Sequence, residues 1–143
     1  MKDLHNAVRA VVGVAPVAIG TTGTGQAGKI IDTEGYGGVE FLIAYGTVTA
    51  TSATYSVLMK EGSVTGTMTS VADADLLGTE ALAGVAATTP RTSGVSKNVV
   101  KRIGYAGSKR YVQLSVSSTV TATTPVAVVA LLHSPNVAPT TNP

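Results

Sequence analysis

Short segments of β-branched and small apolar residues run through the chain, separated by clusters of Gly, Thr and Pro. Residues 109–117 alternate strictly, with Val112, Leu114 and Val116 on one side of the pattern. Period-two alternation is typical of a strand with one buried face. Residues 125–133 are almost continuously apolar, which is typical of a strand buried on both faces. The pattern therefore predicts a chain built from strands.

The composition agrees with a β-rich globular domain. The 143 residues are 44% hydrophobic but only 4% aromatic and 13% charged. Small and β-branched side chains suit a pleated sheet and lose rotamer freedom in a helix. The charged fraction is about half the usual quarter, which excludes an intrinsically disordered chain and a coiled coil. Because there is no cysteine, the sequence offers neither a disulfide nor a thiolate metal site.

We predict an all-β fold, an antiparallel β-sandwich or jelly roll of about eight strands with extended terminal arms. Residues 1–8 are the N-terminal arm, 9–133 the sandwich and 134–143 a Pro-rich C-terminal arm. Pro16 cannot donate a hydrogen bond to a sheet, so the first strand lies at an edge or breaks there. In the less regular middle of the chain, Gly78 argues against more than a helical turn. The residues predicted to be buried are Phe41, Ile43, Val57, Met59, Val112, Leu114, Val128 and Leu131.

Three features suggest chemistry, but none has the context that the chemistry needs. Residues 23–29 read G-x-G-x-x-G and G-x-x-x-x-G-K, yet the segment that follows does not predict the helix of a phosphate-binding loop. Asp73 and Asp75, with Glu80 nearby, could offer oxygen ligands to Ca²⁺ but lack the spacing of a calcium loop. The two histidines, His5 and His133, lie 128 positions apart, and the sequence has no G-x-S-x-G motif that would place a nucleophilic serine. We therefore expect no enzyme activity, no cofactor and no metal site.

Charge is divided unevenly along the chain. Residues 1–80 carry eight acidic and four basic residues, whereas residues 81–143 carry six basic and no acidic ones. Such asymmetry suggests surfaces that pair with a charged partner or with another subunit. Five of the bases lie in residues 97–110, on two predicted strands that would form a hairpin. The net charge of +2 is too low for a dedicated nucleic-acid-binding protein, so we expect no direct contact with nucleic acid. The candidate contact residues are Lys97, Lys101, Arg102, Tyr105, Lys109 and Arg110.

Four segments resemble a family of small β-sandwich proteins from tailed bacteriophages. The family carries an Asp-x-x-Gly-Tyr/Phe segment, matched here by residues 32–36, and then a strand of the Phe-x-Ile type, matched by residues 39–43. Its Gly-Tyr-x-Gly-x-Lys-Arg-Tyr-Val segment is matched by residues 104–112, and its apolar closing strand and Pro-containing end by residues 126–139. The members of this family are capsid decoration, or cement, proteins.

The resemblance implies a structural virion protein, made in the host cytoplasm, that binds the outside of the shell of major capsid protein and stabilises it. We also expect a homotrimer, because a Pro-broken edge strand and irregular ends suit exchange of strands or arms between copies. Two alternatives stay open: a head–tail connector or tail component of the virion, and a carbohydrate- or receptor-binding jelly roll. The apolar runs are too short to cross a bilayer, so we expect no membrane partner.

Overall fold

The fold is taken from a computed structural model that describes residues 3–19, 26–87, 89–94, 97–119, 124–137 and 140. Within these residues lie ten strands, one short helix and a 3-10 turn. The strands and the helix, in chain order, are β1 (Val8–Ile19), β2 (Gln26–Asp32), β3 (Tyr36–Tyr45), β4 (Ala53–Val64), β5 (Thr67–Ser70), β6 (Leu76–Leu77), α1 (Glu80–Ala83), β7 (Val85–Ala87), β8 (Val99–Tyr105), β9 (Tyr111–Ser118) and β10 (Thr124–Pro135).

The strands form two antiparallel sheets that stack as a sandwich, as predicted. Sheet A has the strand order β1-β10-β3-β8-β6. Sheet B has the order β2-β9-β4-β5, and β7 also pairs with β4. The described strands outnumber the predicted eight because the middle of the chain supplies three short strands, β5, β6 and β7. The sequence of residues 63–70 is compatible with a strand or a loop. In the structure this segment contains the end of β4, a turn, and β5.

The core lies between the sheets and comes from alternate positions of the long strands. Seven of the eight predicted core residues are buried, and the exception is Leu131. The side chain of Leu131 is half-buried, while Leu132 takes the core position and is only 2% exposed. The prediction for Leu131 was wrong because it placed two residues of β10, three positions apart, on one face. A strand has a side-chain period of two, so Val128 and Leu131 belong to opposite faces.

The short helix α1 is held against β4 and β3 by polar contacts. The Thr79 hydroxyl accepts a hydrogen bond from the Leu82 N–H and caps the helix. The Met59 N–H donates to Glu80 Oε1 at 2.6 Å, and the Tyr45 hydroxyl donates to the Ala83 carbonyl at 3.0 Å. These contacts explain how the predicted helical turn is stable at four residues, because a helix this short depends on tertiary contacts.

The edge position of β1 is confirmed. It pairs only with β10 among the described strands, and its register shifts between Val12 and Val14 and again between Val14 and Val17. Pro16 lies in the second irregularity, where its missing N–H costs no ladder bond. Near the chain ends, the Thr140 hydroxyl donates to the Val8 carbonyl at 2.8 Å, so this part of the C-terminal segment contacts the start of β1.

Candidate functional site

The predicted basic contact residues do not form one patch. Lys97 precedes β8, whereas Lys109 and Arg110 follow it. The seven residues of β8 span about 23 Å at about 3.3 Å each, so these bases lie at opposite ends of the sandwich. The predicted hairpin is wrong, because β8 belongs to sheet A and β9 to sheet B. The connection between them crosses from one sheet to the other, and bases that are close in sequence are thereby separated.

Arg110 is engaged by two carboxylates of its own chain. Its Nε lies 2.9 Å from Asp32 Oδ1, and one terminal nitrogen lies 2.7 Å from Asp32 Oδ2 and 2.6 Å from Glu34 Oε2. The guanidinium also lies 5.1 Å from the centroid of the Tyr111 ring. Hydrogen bonding to Arg110 lowers the pKa of the Asp32 carboxyl below its ordinary value, and the same contact raises the pKa of Arg110. The charge of Arg110 is therefore largely balanced within the chain.

Tyr105 belongs to the core rather than to an exposed surface. The residue is 2% exposed, and its hydroxyl donates to the Glu61 carboxylate and accepts from the Lys109 N–H at 2.9 Å. Burial, reinforced by the Glu61 contact, raises the pKa of the phenol. Tyr105 therefore ties the loop after β8 to β4, and its ring is not available to a partner of the folded chain.

Lys101 and Arg102 lie on opposite faces of sheet A. Lys101 is opposite the buried Ile43, on the inner face at the edge of the sheet. Arg102 is opposite Leu42 on the outer face, and its side chain is 81% exposed. Its Nε lies 3.9 Å from Glu40 Oε1, and Glu40 is also on the outer face. Arg102 is thus the candidate whose charge lies on the outer face of sheet A.

That surface is almost entirely aliphatic. The register of β1, β10, β3, β8 and β6 defines the outward positions, among which Val12, Leu77, Val100 and Val129 are each at least 37% exposed. Among the described outward positions, the charged residues are Glu40 and Arg102, beside the half-buried His133. We call this surface the aliphatic face. Its apolar members are Val8, Ala10, Val12, Ala18, Leu42, Ala44, Leu77, Val100, Pro125, Ala127, Val129 and Leu131.

The opposite surface of the sandwich has a different chemistry. On β4 and β9, the two central strands of sheet B, the outward side chains are mostly hydroxyls, with the Gln113 amide and the aliphatic Leu58 among them. Ile30 on β2 and Val64 at the end of β4 are further exposed aliphatic residues of this sheet. Antiparallel sheets usually present such a polar face to water. The outward residues of these two strands are Thr54, Ser56, Leu58, Lys60, Tyr111, Gln113, Ser115 and Ser117.

The aliphatic face corrects one sequence-based expectation. The apolar run of residues 125–133 predicts a strand buried on both faces, but Val129 is 37% exposed on the outer side of β10. In a sandwich of two sheets each sheet has one outer face, so no third layer formed by the described residues covers β10. The apolar run was the sequence signal for this surface, and its meaning depends on the pairing of the strands.

Within the described residues, the features that suggested chemistry lie in strands, in a turn and in a helix contact. His133, in β10, has its Nδ1 3.2 Å from the exposed Ser134 hydroxyl, and the two residues are neighbours in the sequence. The part of the chain that the structure describes holds no group of three or more His, Cys, Asp or Glu side chains that could bind a metal. Gly28 and Lys29 lie in β2, so no helix follows the glycine-rich motif, whose residues 23–25 fall outside the described residues. Glu80 is used in the contact with β4. Among the described helices, none is long and apolar enough to cross a membrane.

Comparisons with known proteins show the fold. No protein-family model matches the sequence, and no curated protein matches it. The chain is similar in structure to the PBSX exported protein XepA, with a TM-score of 0.57 at 11% identity over 100% of this chain and 42% of XepA. It also matches a subunit of the disulfide-linked pili of Bacillus endospore appendages (TM-score 0.43, 12% identity, 94% and 96% covered). A third match is the N-terminal cellulose-binding domain of Cellulomonas fimi β-1,4-glucanase C (0.42, 13%, 94% and 84%).

Proposed function

We propose that this chain is a structural protein of a bacteriophage virion, a decoration protein that binds the outside of the major capsid protein shell and stabilises it. The fold supports a structural role, because the described residues form a sandwich in which titratable groups serve ion pairs and helix contacts rather than a cluster. The resemblance of residues 32–36 and 104–112 to phage decoration proteins supports the virion assignment. The proposal includes no catalytic role.

The observation that carries the proposal is the contrast between the two outer faces of the sandwich. Sheet A presents the aliphatic face, whereas the central strands of sheet B present mostly hydroxyls and amides. Soluble monomers rarely expose an apolar patch of more than a few hundred Å². A molecule with one aliphatic and one polar face suits a position in which protein neighbours cover one side and solvent the other. A decoration protein on a capsid occupies such a position.

Electrostatic contact with the capsid is the second element of the proposal. Lys97 is exposed and lies two residues before β8. Lys101 lies on the inner face of β8, near the edge of sheet A. Neither lysine makes an ion pair among the described contacts. Arg110, by contrast, already has two carboxylate partners. Lys109 is also exposed and outside these ion pairs, but it is a single lysine beyond the end of β8, whereas Lys97 and Lys101 lie together at its start. We therefore assign the contact with acidic capsid surface mainly to Lys97 and Lys101. The homotrimer expected from the sequence is part of the same proposal.

The carbohydrate-binding alternative has less support from the side chains. Sugar-binding modules of this shape need exposed aromatic rings to stack on the pyranose. The chain has five tyrosines, one phenylalanine and no tryptophan, all within the described residues, and each of the six is buried or half-buried. The outward-facing Tyr111 ring is half-buried and already has the Arg110 guanidinium 5.1 Å from its centroid.

The copy number of the protein in purified virions tests the proposal. Densitometry of virion protein bands, calibrated on the major capsid protein, should give hundreds of copies per particle, and mild chemical stripping should release the protein while the shell stays closed. Absence from virions would contradict a virion role. A count of about six to twelve, typical of a ring at one vertex, would indicate the connector or tail component instead.

A further inference from the structure

We propose that the aliphatic face is covered by a second copy of this chain. This inference concerns the purified protein and does not depend on the virion role. The exposed aliphatic side chains are not a by-product of composition, because the two central strands of sheet B, in the same chain, keep hydroxyls and amides at most outward positions. Three large aliphatic side chains on the described strands of sheet B are also exposed, namely Ile30, Leu58 and Val64. The contrast between the sheets is that twelve outward positions of sheet A are apolar and lie side by side.

The charges of the aliphatic face favour another copy of the same face as the occupant. Glu40 and Arg102 lie 3.9 Å apart, and they contribute one charge of each sign. Arg102 is 81% exposed, so its guanidinium can reach beyond its own Glu40 to a carboxylate on a molecule packed against the face. A second copy supplies both partners, a carboxylate for Arg102 and a guanidinium for Glu40. A uniformly acidic partner would satisfy Arg102 but would repel Glu40.

The size of the face is sufficient for a specific contact. Five strands about 4.8 Å apart, over about six residues of about 3.3 Å each, give a surface of about 500 Å² per copy. Two such surfaces together bury about 1,000 Å², which is the lower limit for a specific protein interface. Sheets that pack face to face in this way lie about 10 Å apart and interdigitate their side chains.

Contact through the sheet edge, which is the sequence-based reason to expect a homotrimer, is disfavoured by the shape of β1. The strand carries two irregularities and Pro16, and these devices prevent a neighbouring chain from adding to an edge. The other edge of sheet A is β6, which has only two residues. The copies are therefore expected to meet through the face of sheet A and not through a continuous sheet.

Light scattering on the purified full chain, from micromolar concentrations upward, tests the inference. The wild-type chain should have a mass of two chains, because a contact between two copies of the same face closes as a dimer. Val129→Lys should shift the mass to one chain, because the lysine ammonium would be buried at the contact. A wild-type mass of three chains would fit the homotrimer and would overturn the face-to-face contact. Leu58→Lys is the matched control: Leu58 and Val129 are both 37% exposed, but Leu58 lies on sheet B. This variant should keep the wild-type mass. Thermal melting of both variants checks that they are folded.

Reversing the charge of Arg102 or of Glu40 gives a second test of association, which does not depend on burying a charge. Arg102→Glu leaves two negative charges on the face, and Glu40→Lys leaves two positive charges, so each variant alone should associate more weakly than the wild type. An equimolar mixture should recover the association, because the two faces are then oppositely charged.

A wild-type chain that stays monomeric, or a Val129→Lys chain that associates like the wild type, would overturn the inference. If Val129→Lys instead abolishes capsid binding by a monomeric wild type, the face belongs to the capsid contact.

Discussion

The hydroxyl of Tyr55 in sheet B donates a 2.6 Å hydrogen bond to the hydroxyl of Thr124 in sheet A, and both residues are fully buried. The two residues are 69 positions apart and join the two sheets of the sandwich through a polar contact inside the core. A buried hydroxyl without a partner is costly, so each residue depends on the other.

This contact predicts strong coupling between two substitutions. Thr124→Val should lower the free energy of unfolding by about 1–3 kcal/mol, because it leaves the Tyr55 hydroxyl buried without an acceptor. Adding Tyr55→Phe to Thr124→Val should then cost less than Tyr55→Phe does alone, since the unsatisfied group is removed. Urea denaturation of the wild type, both single variants and the double variant measures the coupling. Strictly additive losses would show that the hydrogen bond contributes nothing.

A side chain at Gly28, the last glycine of the glycine-rich motif, is predicted to clash with the backbone of two neighbouring strands. A Cβ built at this position would lie 2.4 Å from the Leu114 carbonyl oxygen and 2.8 Å from the Gly13 carbonyl oxygen. Gly28→Ala should therefore force β2 away from β9 and β1 and destabilise the fold by about 1–3 kcal/mol. Gly66→Ala is the control, because a Cβ there meets nothing within 4 Å. Equal melting temperatures for the two variants would contradict the close approach of these strands.

The adjacent leucines of β10 predict opposite outcomes. Leu132→Ala should lower the free energy of unfolding by about 2–5 kcal/mol, because it opens a cavity in the core. Leu131→Ala should cost less than about 1 kcal/mol, since its side chain lies on the aliphatic face. Denaturation is measured in the Val129→Lys background, so that association of copies does not contribute. A larger loss for Leu131→Ala would mean that the faces of β10 are reversed.

The ion pair between Asp32 and Arg110 predicts a small pH dependence. Because the pKa of Asp32 is lowered below its ordinary value of about 3.8, the folded state favours the carboxylate. The stabilisation is complete above the ordinary pKa and is lost as the pH falls through the lowered pKa. Asp32→Asn should therefore melt slightly below the wild type at neutral pH, and this difference should vanish in acid. Asp73→Asn, an exposed carboxylate in the 3-10 turn, serves as the comparison.

The separation of the bases predicts which end of the sandwich contributes to capsid binding. Combined Lys97→Ser and Lys101→Ser should weaken rebinding to undecorated capsids, whereas Lys109→Ser should change it little. Wild-type rebinding should also weaken with salt, since the Debye length falls from about 10 Å at 0.1 M to about 3 Å at 1 M. Pelleting assays with stripped capsids measure both effects. Rebinding that is indifferent to salt would place the contact on apolar surface alone.

Much of the local structure follows from the sequence. Strict alternation in residues 109–117 predicts β9 and its buried side chains, and Pro16 predicts that β1 is an edge strand. These properties are local, because the period of two and the missing proline N–H act within one strand. The all-β sandwich is also predicted, since strands of this spacing without a long helix have few other ways to bury their apolar side.

Other features were decided only by the tertiary structure. The sequence places Lys97 and Arg110 in one basic segment, but β8 lies between them and puts them at opposite ends of the sandwich. The crossing to sheet B then gives Arg110 a partner, Asp32, that is 78 positions away. The apolar residues of β10 are likewise divided between the two faces of sheet A, because β10 pairs with β1 on one side and β3 on the other. Alternate side chains lie in the core, and the others lie on the aliphatic face. Strand pairing joins residues that are distant in the chain. A local sequence pattern determines which side chains share a face of the strand, but not whether that face packs in the core or lies on the outer surface.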